Sequence, residues 1–158
     1  NTDIGAVNSK EQLKTIQRYV QTGIQEGANC FECSGSLPTS GYYFPPTILT
    51  GVSQSSTVVQ EEIFGPVLTI QTFRTTDEAI EKANNTPYGL ANGIWTDKGS
   101  KIFYVGSKLK SGVVWSNTYN KFDPTSPFGG FKESGKGREG GISCLHAYVK
   151  LDHNGGMY

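Results

Sequence analysis

Apolar residues recur at helical spacing near the start of the chain. Between residues 9 and 28 they stand three or four positions apart, which places them on one face of a helix. These residues are Leu13, Ile16, Val20 and Ile24. Ser9 and Gln12 fit a capping box, in which two side chains satisfy the free N–H groups of a helix start. The pattern predicts a helix that begins after Ser9 and ends near Gly27.

Beyond this helix, short segments rich in β-branched and aromatic residues alternate with helical patterns. The predicted strands span residues 29–34, 46–50, 67–73, 91–96 and 113–116. Thr75 with Glu78 predicts the start of a helix that runs to about Thr86, and Asp97 is the predicted N-cap of a helix that stops at Gly112. Such alternation is typical of an α/β fold with a mostly parallel twisted sheet flanked by helices.

The composition limits which binding partners and which cellular compartment we expect. The 14 basic and 14 acidic residues cancel, so no basic surface for nucleic acid is predicted. No apolar run approaches the roughly 18 to 20 residues needed to cross a bilayer, so no membrane segment is predicted. Three cysteines are too few for a disulfide scaffold. We therefore expect a cytoplasmic protein, with the mitochondrial matrix as the alternative.

The segment Glu-Glu-Ile-Phe-Gly-Pro at residues 61–66 lies between two predicted strands. Gly65 and Pro66 fix a bend that holds the residues before it. An ionised glutamate accepts but does not donate, so a carboxylate on this bend is suited to two neighbouring hydroxyls, such as those of a ribose. The alternative is that the glutamate caps local backbone and the phenylalanine packs in the core.

Aromatic residues follow the strand at 113–116, on a loop that includes Phe122 and Phe128. Loops at the carboxyl ends of parallel strands are where α/β folds bind ligands, although hydrophobic packing is the alternative. The glycines of residues 129–137 follow neither the Rossmann nor the P-loop spacing, so they do not predict a phosphate-binding loop. Lys132 among them is predicted to be a solvated charge, with an ion pair to Glu133 or Glu139 as the alternative.

Cys30 and Cys33 have the spacing of a redox motif or of half a zinc site. Such a site requires a second pair of ligands or a base, and neither His146 nor His153 stands at a recognised metal spacing. We therefore interpret both cysteines as structural and predict no metal site.

Two motifs in this order, residues 61–66 and residues 126–135 (Ser-Pro-Phe-Gly-Gly-Phe-Lys-Glu-Ser-Gly), resemble the later half of an aldehyde dehydrogenase. The resemblance extends from about Gly5 to about Tyr148. Further matching segments are residues 46–49, 83–91 and 134–139. The segment Arg-Glu-Gly-Gly at 138–141 is similar to the subfamily in which one dehydrogenase module is followed by a second, partial one.

The resemblance implies roles for individual residues. Glu62 would hold the nicotinamide ribose of NAD or NADP, and Phe64 would pack beside the nicotinamide ring. Phe122 and Phe128 would form the aromatic wall of the aldehyde entrance. Asn117 matches an asparagine that supports the active-site loops in the family and does not react. The glycines of residues 129–137 would allow close packing, as they do in the family.

The same resemblance implies the domain organisation. Residues 1–150 would be the C-terminal portion of an aldehyde dehydrogenase catalytic domain, and residues 151–158 a tail left from an oligomerisation segment. Family members typically end on a Tyr-Thr-x-Val-Lys strand that joins a neighbouring subunit. In this chain the segment 148–150 runs into His-Asn-Gly-Gly at 153–156 instead, which departs from the family pattern that implies a homo-oligomer.

The implied activity is NAD(P)-dependent oxidation of an aldehyde to a carboxylic acid. The nucleophilic cysteine and base glutamate segments of the family have no counterpart in this sequence, and the chain opens on Asn1 with Met157 as its only methionine. We therefore expect a fragment that is inactive alone and needs the remainder of the dehydrogenase chain. The alternative is a noncatalytic dehydrogenase-like module with an interaction or scaffolding role.

Overall fold

A computed structural model describes residues 4–150 of the chain. They fold as two compact units, unit 1 up to Phe73 and unit 2 from Arg74 onward. Helices and strands alternate in both, so the predicted α/β class is confirmed. The predicted tail at residues 151–158 lies outside the described residues.

Unit 1 contains two helices and one three-stranded sheet. Its elements are α1 (Lys10–Gln25), β1 (Asn29–Glu32), β2 (Thr47–Thr50), α2 (Thr57–Gln60) and β3 (Val67–Ile70). The strand order is β1-β2-β3, with β2 antiparallel to β1 and parallel to β3. The middle strand β2 alternates buried and accessible residues, so one face of the sheet is directed toward the core.

Helix α1 begins as predicted, because the Ser9 hydroxyl accepts from the Gln12 backbone N–H at 3.1 Å. Its apolar face packs into a core cluster with residues of the sheet and of the later loops. The buried members of this cluster are Ile16, Val20, Phe44, Leu49, Val58 and Ile63. Full burial of one such side chain is worth about 1.5–3 kcal/mol, so this cluster is the main source of stability in unit 1.

Unit 2 contains two α-helices, four short strands and a 3₁₀ helix. The elements are α3 (Thr76–Asn84), β4 (Tyr88–Gly89), β5 (Ala91–Ile94), α4 (Gly99–Gly106), β6 (Val113–Ser116), β7 (Phe131–Lys132) and the 3₁₀ helix Ile142–Ala147. β5 and β6 pair in parallel, whereas β4 and β7 pair antiparallel. The Thr75 hydroxyl accepts from the Glu78 N–H at 3.1 Å, which confirms the predicted cap of α3.

The sheets of the described residues are shorter and more divided than the sequence pattern predicts. They number three, and of the four strand pairings two are parallel and two antiparallel. The pair of β4 and β7 involves only two residues in each strand, too few to produce a periodic pattern in the sequence.

Asp97 is not the N-cap of α4, so that prediction is wrong. The capping position is Lys98, whose side chain makes no capping bond, and the helix ends at Gly106 well before Gly112. The Asn84 amide explains the early end. Its Nδ2 donates to the Lys108 carbonyl at 2.9 Å, and its Oδ1 accepts from the Lys110 N–H at 2.7 Å. These bonds hold residues 108–110 in a loop that helical pattern alone cannot reveal.

Candidate functional site

The segment 61–66 forms a turn between α2 and β3 in unit 1. Ile63 is 8% exposed and belongs to the core cluster, whereas Phe64 is 72% exposed. Glu62 is also exposed. The alternative in which Phe64 is a core residue is therefore wrong, and the turn presents Glu62 and Phe64 outward from a buried anchor.

Phe64 has a φ of +55°, in the left-handed region that residues with a side chain rarely adopt. The side-chain amide of Gln12 holds the peptide groups on both sides of it. Gln12 Nε2 donates to the Ile63 carbonyl at 3.0 Å and to the Phe64 carbonyl at 3.1 Å. The Gln12 side chain is therefore engaged with the turn, and the second half of the predicted capping box is absent.

Gly65 follows this strained residue and lies directly against α1. A Cβ placed on Gly65 would lie much closer to Ile16 Cδ1 than van der Waals contact allows, and Ile16 is fully buried. The predicted bend is present, and the glycine is required by close packing against the helix.

The two glutamates of the turn have different surroundings. Glu61 Oε2 accepts from the Tyr19 hydroxyl at 2.7 Å. No hydrogen bond to the Glu62 carboxylate is present within residues 4–150, so the local capping role is also wrong. Both oxygens of Glu62 remain open to donors from a ligand.

In unit 2, aromatic rings form a contiguous cluster. Phe122 and Phe128 meet edge to face with ring centroids 5.1 Å apart, and Trp115 meets Phe122 at 5.6 Å. The Trp115 indole N–H donates to the Lys121 carbonyl at 2.8 Å and so fastens the loop to the strand. The structure thus brings together the two phenylalanines that the sequence singled out, and Phe122 is 58% exposed.

Sequence reasoning missed two further rings in this cluster. Trp95 and Tyr119 stack with centroids 6.3 Å apart, and Tyr119 lies 4.7 Å from the Trp115 ring. Trp95 is 64% exposed and Tyr119 52% exposed. The sequence held a clue, because Trp95 directly follows β5 and Trp115 is the last residue but one of β6, so both lie near the carboxyl ends of adjacent parallel strands.

Asn117 continues the pairing of β5 and β6 past the last strand residues. Its backbone N–H donates to the Ile94 carbonyl at 2.7 Å. Its side-chain Oδ1 accepts from the Thr96 N–H at 2.9 Å and its Nδ2 donates to the Thr96 carbonyl at 3.0 Å. Asn117 also has a φ of +53°, which asparagine tolerates better than most residues. These contacts stabilise the start of the aromatic loop.

The glycines of the 129–137 segment allow close backbone packing, as predicted. A Cβ on Gly112 would overlap the Gly129 carbonyl, and one on Gly129 would overlap the Gly137 carbonyl. Arg138 Nη1 donates to the carbonyls of Gly130 and Gly137 at 2.8 and 2.9 Å. The Arg138 guanidinium is therefore bound to the backbone of the glycine-rich segment. The segment borders a groove of about 550 Å³ that is lined in part by Phe128 and Cys144.

Lys132 is exposed, as predicted, but its ammonium group is also bound to backbone carbonyls. Its Nζ donates to the carbonyls of Asn84 and Thr86 at 2.8 and 2.9 Å, at the C-terminal end of α3. The carbonyls at a helix C-terminus lack intrahelical partners and attract a cation. Charge patterning alone could not identify this contact, because the partners are backbone oxygens 46 and 48 residues away.

Cys30 and Cys33 are both free thiols and stand three residues apart on or just after β1. Cys30 packs against the core cluster, and burial, together with the nearby Glu32 carboxylate, raises the pKa of its thiol. An odd separation along extended chain directs the two side chains to opposite faces. Within residues 4–150 no three histidine, cysteine or acidic side chains gather as metal ligands, and His153 lies outside these residues.

No helix among residues 4–150 combines the length and the apolar character of a membrane-crossing segment.

Known proteins resemble this chain over almost all of it. The sequence profile of the aldehyde dehydrogenase family matches residues 1–153. Retinal dehydrogenase 2 of Gallus gallus is 43% identical over 151 residues, which are 95% of this chain and 29% of that protein. The chain therefore belongs to the aldehyde dehydrogenase family.

Solved structures agree with this assignment. The indole-3-acetaldehyde dehydrogenase AldA of P. syringae, a C302A mutant in complex with NAD⁺ and IAA, superposes with a TM-score of 0.90 and 41% identity. An NAD⁺ complex of an aldehyde dehydrogenase from Bacillus cereus superposes with a TM-score of 0.88 and 43% identity. The match covers 96% and 94% of this chain but 31% and 30% of those chains. This chain spans less than a third of the length of these relatives.

Proposed function

We propose that this chain is part of an NAD-dependent aldehyde dehydrogenase that oxidises an aldehyde to a carboxylic acid. In this proposal Glu62 and Phe64 bind the nicotinamide end of the cofactor, and Phe122 and Phe128 line the path of the aldehyde. The observation that carries it is the turn at residues 61–66, which presents a carboxylate without a hydrogen-bond partner among residues 4–150 and an exposed ring, both next to the buried Ile63. Family membership and the NAD⁺ complexes of similar structures support it.

The residues of the turn fit a ribose with an adjoining aromatic ring. A carboxylate that makes no internal hydrogen bond can accept from the two neighbouring hydroxyls of a ribose. Glu61 is unsuited to this task because the Tyr19 hydroxyl already occupies one of its oxygens at 2.7 Å. An exposed phenyl ring two residues after Glu62 offers a flat apolar surface to a nicotinamide ring.

The bound nicotinamide would supply the hydride acceptor of the reaction. Glu62 would hold the adjoining sugar in one orientation, and Phe64 would exclude water from one side of the ring. Phe122 and Phe128 would provide an apolar lining for the aldehyde, fastened to β6 through Trp115. None of these side chains is a thiol, so in this proposal the thiol that attacks the aldehyde would come from the remainder of the dehydrogenase chain.

The test uses the full-length protein and its Glu62→Gln variant, with cofactor affinity measured by titration calorimetry. A neutral amide in place of the carboxylate weakens bonds to two hydroxyls, and we expect the Kd for NAD to rise about tenfold or more. Glu81→Gln is the control, since it removes the same charge from an exposed residue outside the turn, and its Kd is expected to stay within about twofold. Unchanged NAD affinity in folded Glu62→Gln would refute the ribose role.

The catalytic part of the proposal is tested separately by NADH formation with a panel of aldehydes. We expect turnover by the full-length protein and none by the 158-residue chain alone. A full-length protein that binds NAD yet oxidises no aldehyde would favour the alternative, a noncatalytic module. Turnover by the isolated chain would contradict the expectation that the nucleophile lies elsewhere.

A further inference from the structure

One face of α1 contacts the turn at residues 61–66 from Glu61 to Gly65. Gln12, Ile16 and Tyr19 are spaced four and three residues apart, so they share this face. Tyr19 donates to Glu61 at the start of the turn, Ile16 packs against Gly65 near its end, and Gln12 donates to the two carbonyls between them. The turn that carries Glu62 and Phe64 is therefore seated on a helix.

The two Gln12 bonds control the backbone of Phe64 directly. The Ile63 carbonyl belongs to the peptide group before Phe64, and the Phe64 carbonyl belongs to the peptide group after it. The orientations of these two planes define φ and ψ of Phe64. Since Gln12 Nε2 carries two hydrogens, one amide group can fix both planes at once.

Phe64 needs such a restraint more than its neighbours do. Its φ of +55° is unfavourable for a residue with a side chain, and its ring is 72% exposed, so packing of that ring contributes little to holding it. Ile63 is anchored by burial and Gly65 by its contact with Ile16. Packing therefore restrains Ile63 and Gly65, and the Gln12 amide restrains Phe64 between them.

We propose that Gln12 is a positioning residue of the cofactor site, which acts by holding the Phe64 backbone and with it the directions of the Phe64 ring and the Glu62 carboxylate. The inference rests on the proposed function of Glu62 and Phe64. Gln12 is suited to this because the Ser9 cap already fixes its backbone N–H, which leaves the side chain for the turn. A glutamate there would present only acceptors to two carbonyl oxygens, and an asparagine is one methylene shorter.

The experiment is a double-mutant cycle in the full-length protein, with the NAD Kd measured for wild type, Gln12→Met, Glu62→Gln and the double variant. Methionine matches glutamine in length, carries no charge and favours a helix, so the change removes the two donors and little else. We expect Gln12→Met to raise the NAD Kd about tenfold. The control is Gln17→Met, which removes an amide from an exposed position of the same helix and is expected to leave the Kd within about twofold.

Positioning predicts that the two changes are not additive. Once Gln12 is lost, the Glu62 carboxylate is misdirected, so Glu62→Gln in that background should raise the Kd by less than about threefold. At saturating NAD, the KM for the aldehyde should stay within about twofold of wild type, which general damage to the fold would not allow. Should Gln12→Met fold poorly, Gln12→Asn tests the same bonds with the amide retained but short of reach, and a rise in Kd is expected again.

Each outcome bears on one hypothesis. Unchanged NAD affinity in both folded Gln12 variants, or effects of Gln12→Met and Glu62→Gln that multiply, would overturn the positioning role. Glu62→Gln without effect would instead count against the proposed function itself. A large effect of Glu62→Gln with none of Gln12→Met would leave the proposed function standing and remove only this inference.

Discussion

The side-chain amide of Asn117 pairs with both backbone groups of Thr96, accepting from its N–H at 2.9 Å and donating to its carbonyl at 3.0 Å. The Asn117 side chain thereby takes the place of the next backbone hydrogen bonds of the parallel ladder between β5 and β6. Asn117 itself leaves the extended conformation and has a φ of +53°. The aromatic loop starts from this fixed point. Asn117 thus has a structural contact that fits the supporting role expected from the resemblance, and that role remains a prediction.

Asn117→Ala should destabilise the protein by about 1–3 kcal/mol, because Thr96 loses two hydrogen bonds and alanine is less tolerant of a positive φ. The measurement is urea unfolding, with amide hydrogen exchange at Thr96 as the local readout. Asn117→Gly separates the two causes, since glycine accepts the positive φ but makes no side-chain bonds. Exchange at Thr96 that is no faster in either variant would contradict a stabilising role of the Asn117 amide.

Gly65→Ala should cost about 1–3 kcal/mol of stability, because the added methyl overlaps Ile16 Cδ1 in a filled core. Ile16→Ala removes Cδ1, Cγ1 and Cγ2 of Ile16, the three atoms that the added methyl would meet, and costs about 2–5 kcal/mol by itself. In the double variant the two costs should be clearly less than additive, since the shortened residue 16 leaves room for the methyl on residue 65. Thermal unfolding of the four proteins measures this, and strict additivity would show that the clash is relieved elsewhere.

Lys132→Met should destabilise unit 2 by about 0.5–1.5 kcal/mol, since it leaves the Asn84 and Thr86 carbonyls without the ammonium donor. Lys136→Met is the matched control, because Lys136 is an exposed lysine of the same glycine-rich segment. We expect no measurable change for the control in chemical denaturation. Equal effects of the two substitutions would indicate that only net charge is involved.

Acid should weaken the start of α3 through Glu78. Hydrogen bonds from Lys82 and from the Arg74 N–H lower the pKa of the Glu78 carboxyl, which is partly exposed. A pKa lower in the folded than in the unfolded state gives a stabilising contribution that is complete above the unfolded pKa and is lost as the pH falls through the folded value. Titration of Glu78 by NMR should show this downward shift, and Lys82→Met should move the pKa back up. A Glu78 pKa unaffected by that substitution would show that the Lys82 ammonium does not cause the shift.

Most helix and strand positions could be predicted from the sequence, because those elements are local. Ser9 and Thr75 cap the helices that they were expected to cap. The α4 boundary was missed because the Asn84 side chain, more than twenty residues earlier, captures the backbone of residues 108–110. The two-residue strands β4 and β7 were missed because they are too short to carry a period.

In the candidate site, too, local features could be predicted from the sequence and contacts between distant segments could not. The motif at 61–66 identified the turn, and the aromatic loop was found from its place after a parallel strand. The residue types alone could not tell Glu61 from Glu62, and only the family resemblance singled out Glu62. In the structure the two differ by a hydrogen bond that Glu61 accepts from Tyr19, 42 residues away in the chain. The left-handed Phe64 and the Gln12 amide that restrains it also depend on contacts between distant segments.

The glycines at 112, 129 and 137 stack main chain on main chain, with no room for a methyl group at either of the first two. Where side chains pack against each other, a neighbouring side chain can make room for a larger residue by adopting another rotamer. At Gly112 and Gly129 the nearest atoms belong to backbone carbonyls, which cannot move in this way. A substitution at Gly112 would have to shift the polypeptide itself, and β6 starts at the next residue. That shift would reach Trp115 and, through its ring contacts, Phe122. The placement of the aromatic surface is thus governed partly by residues that contribute no side chain to it.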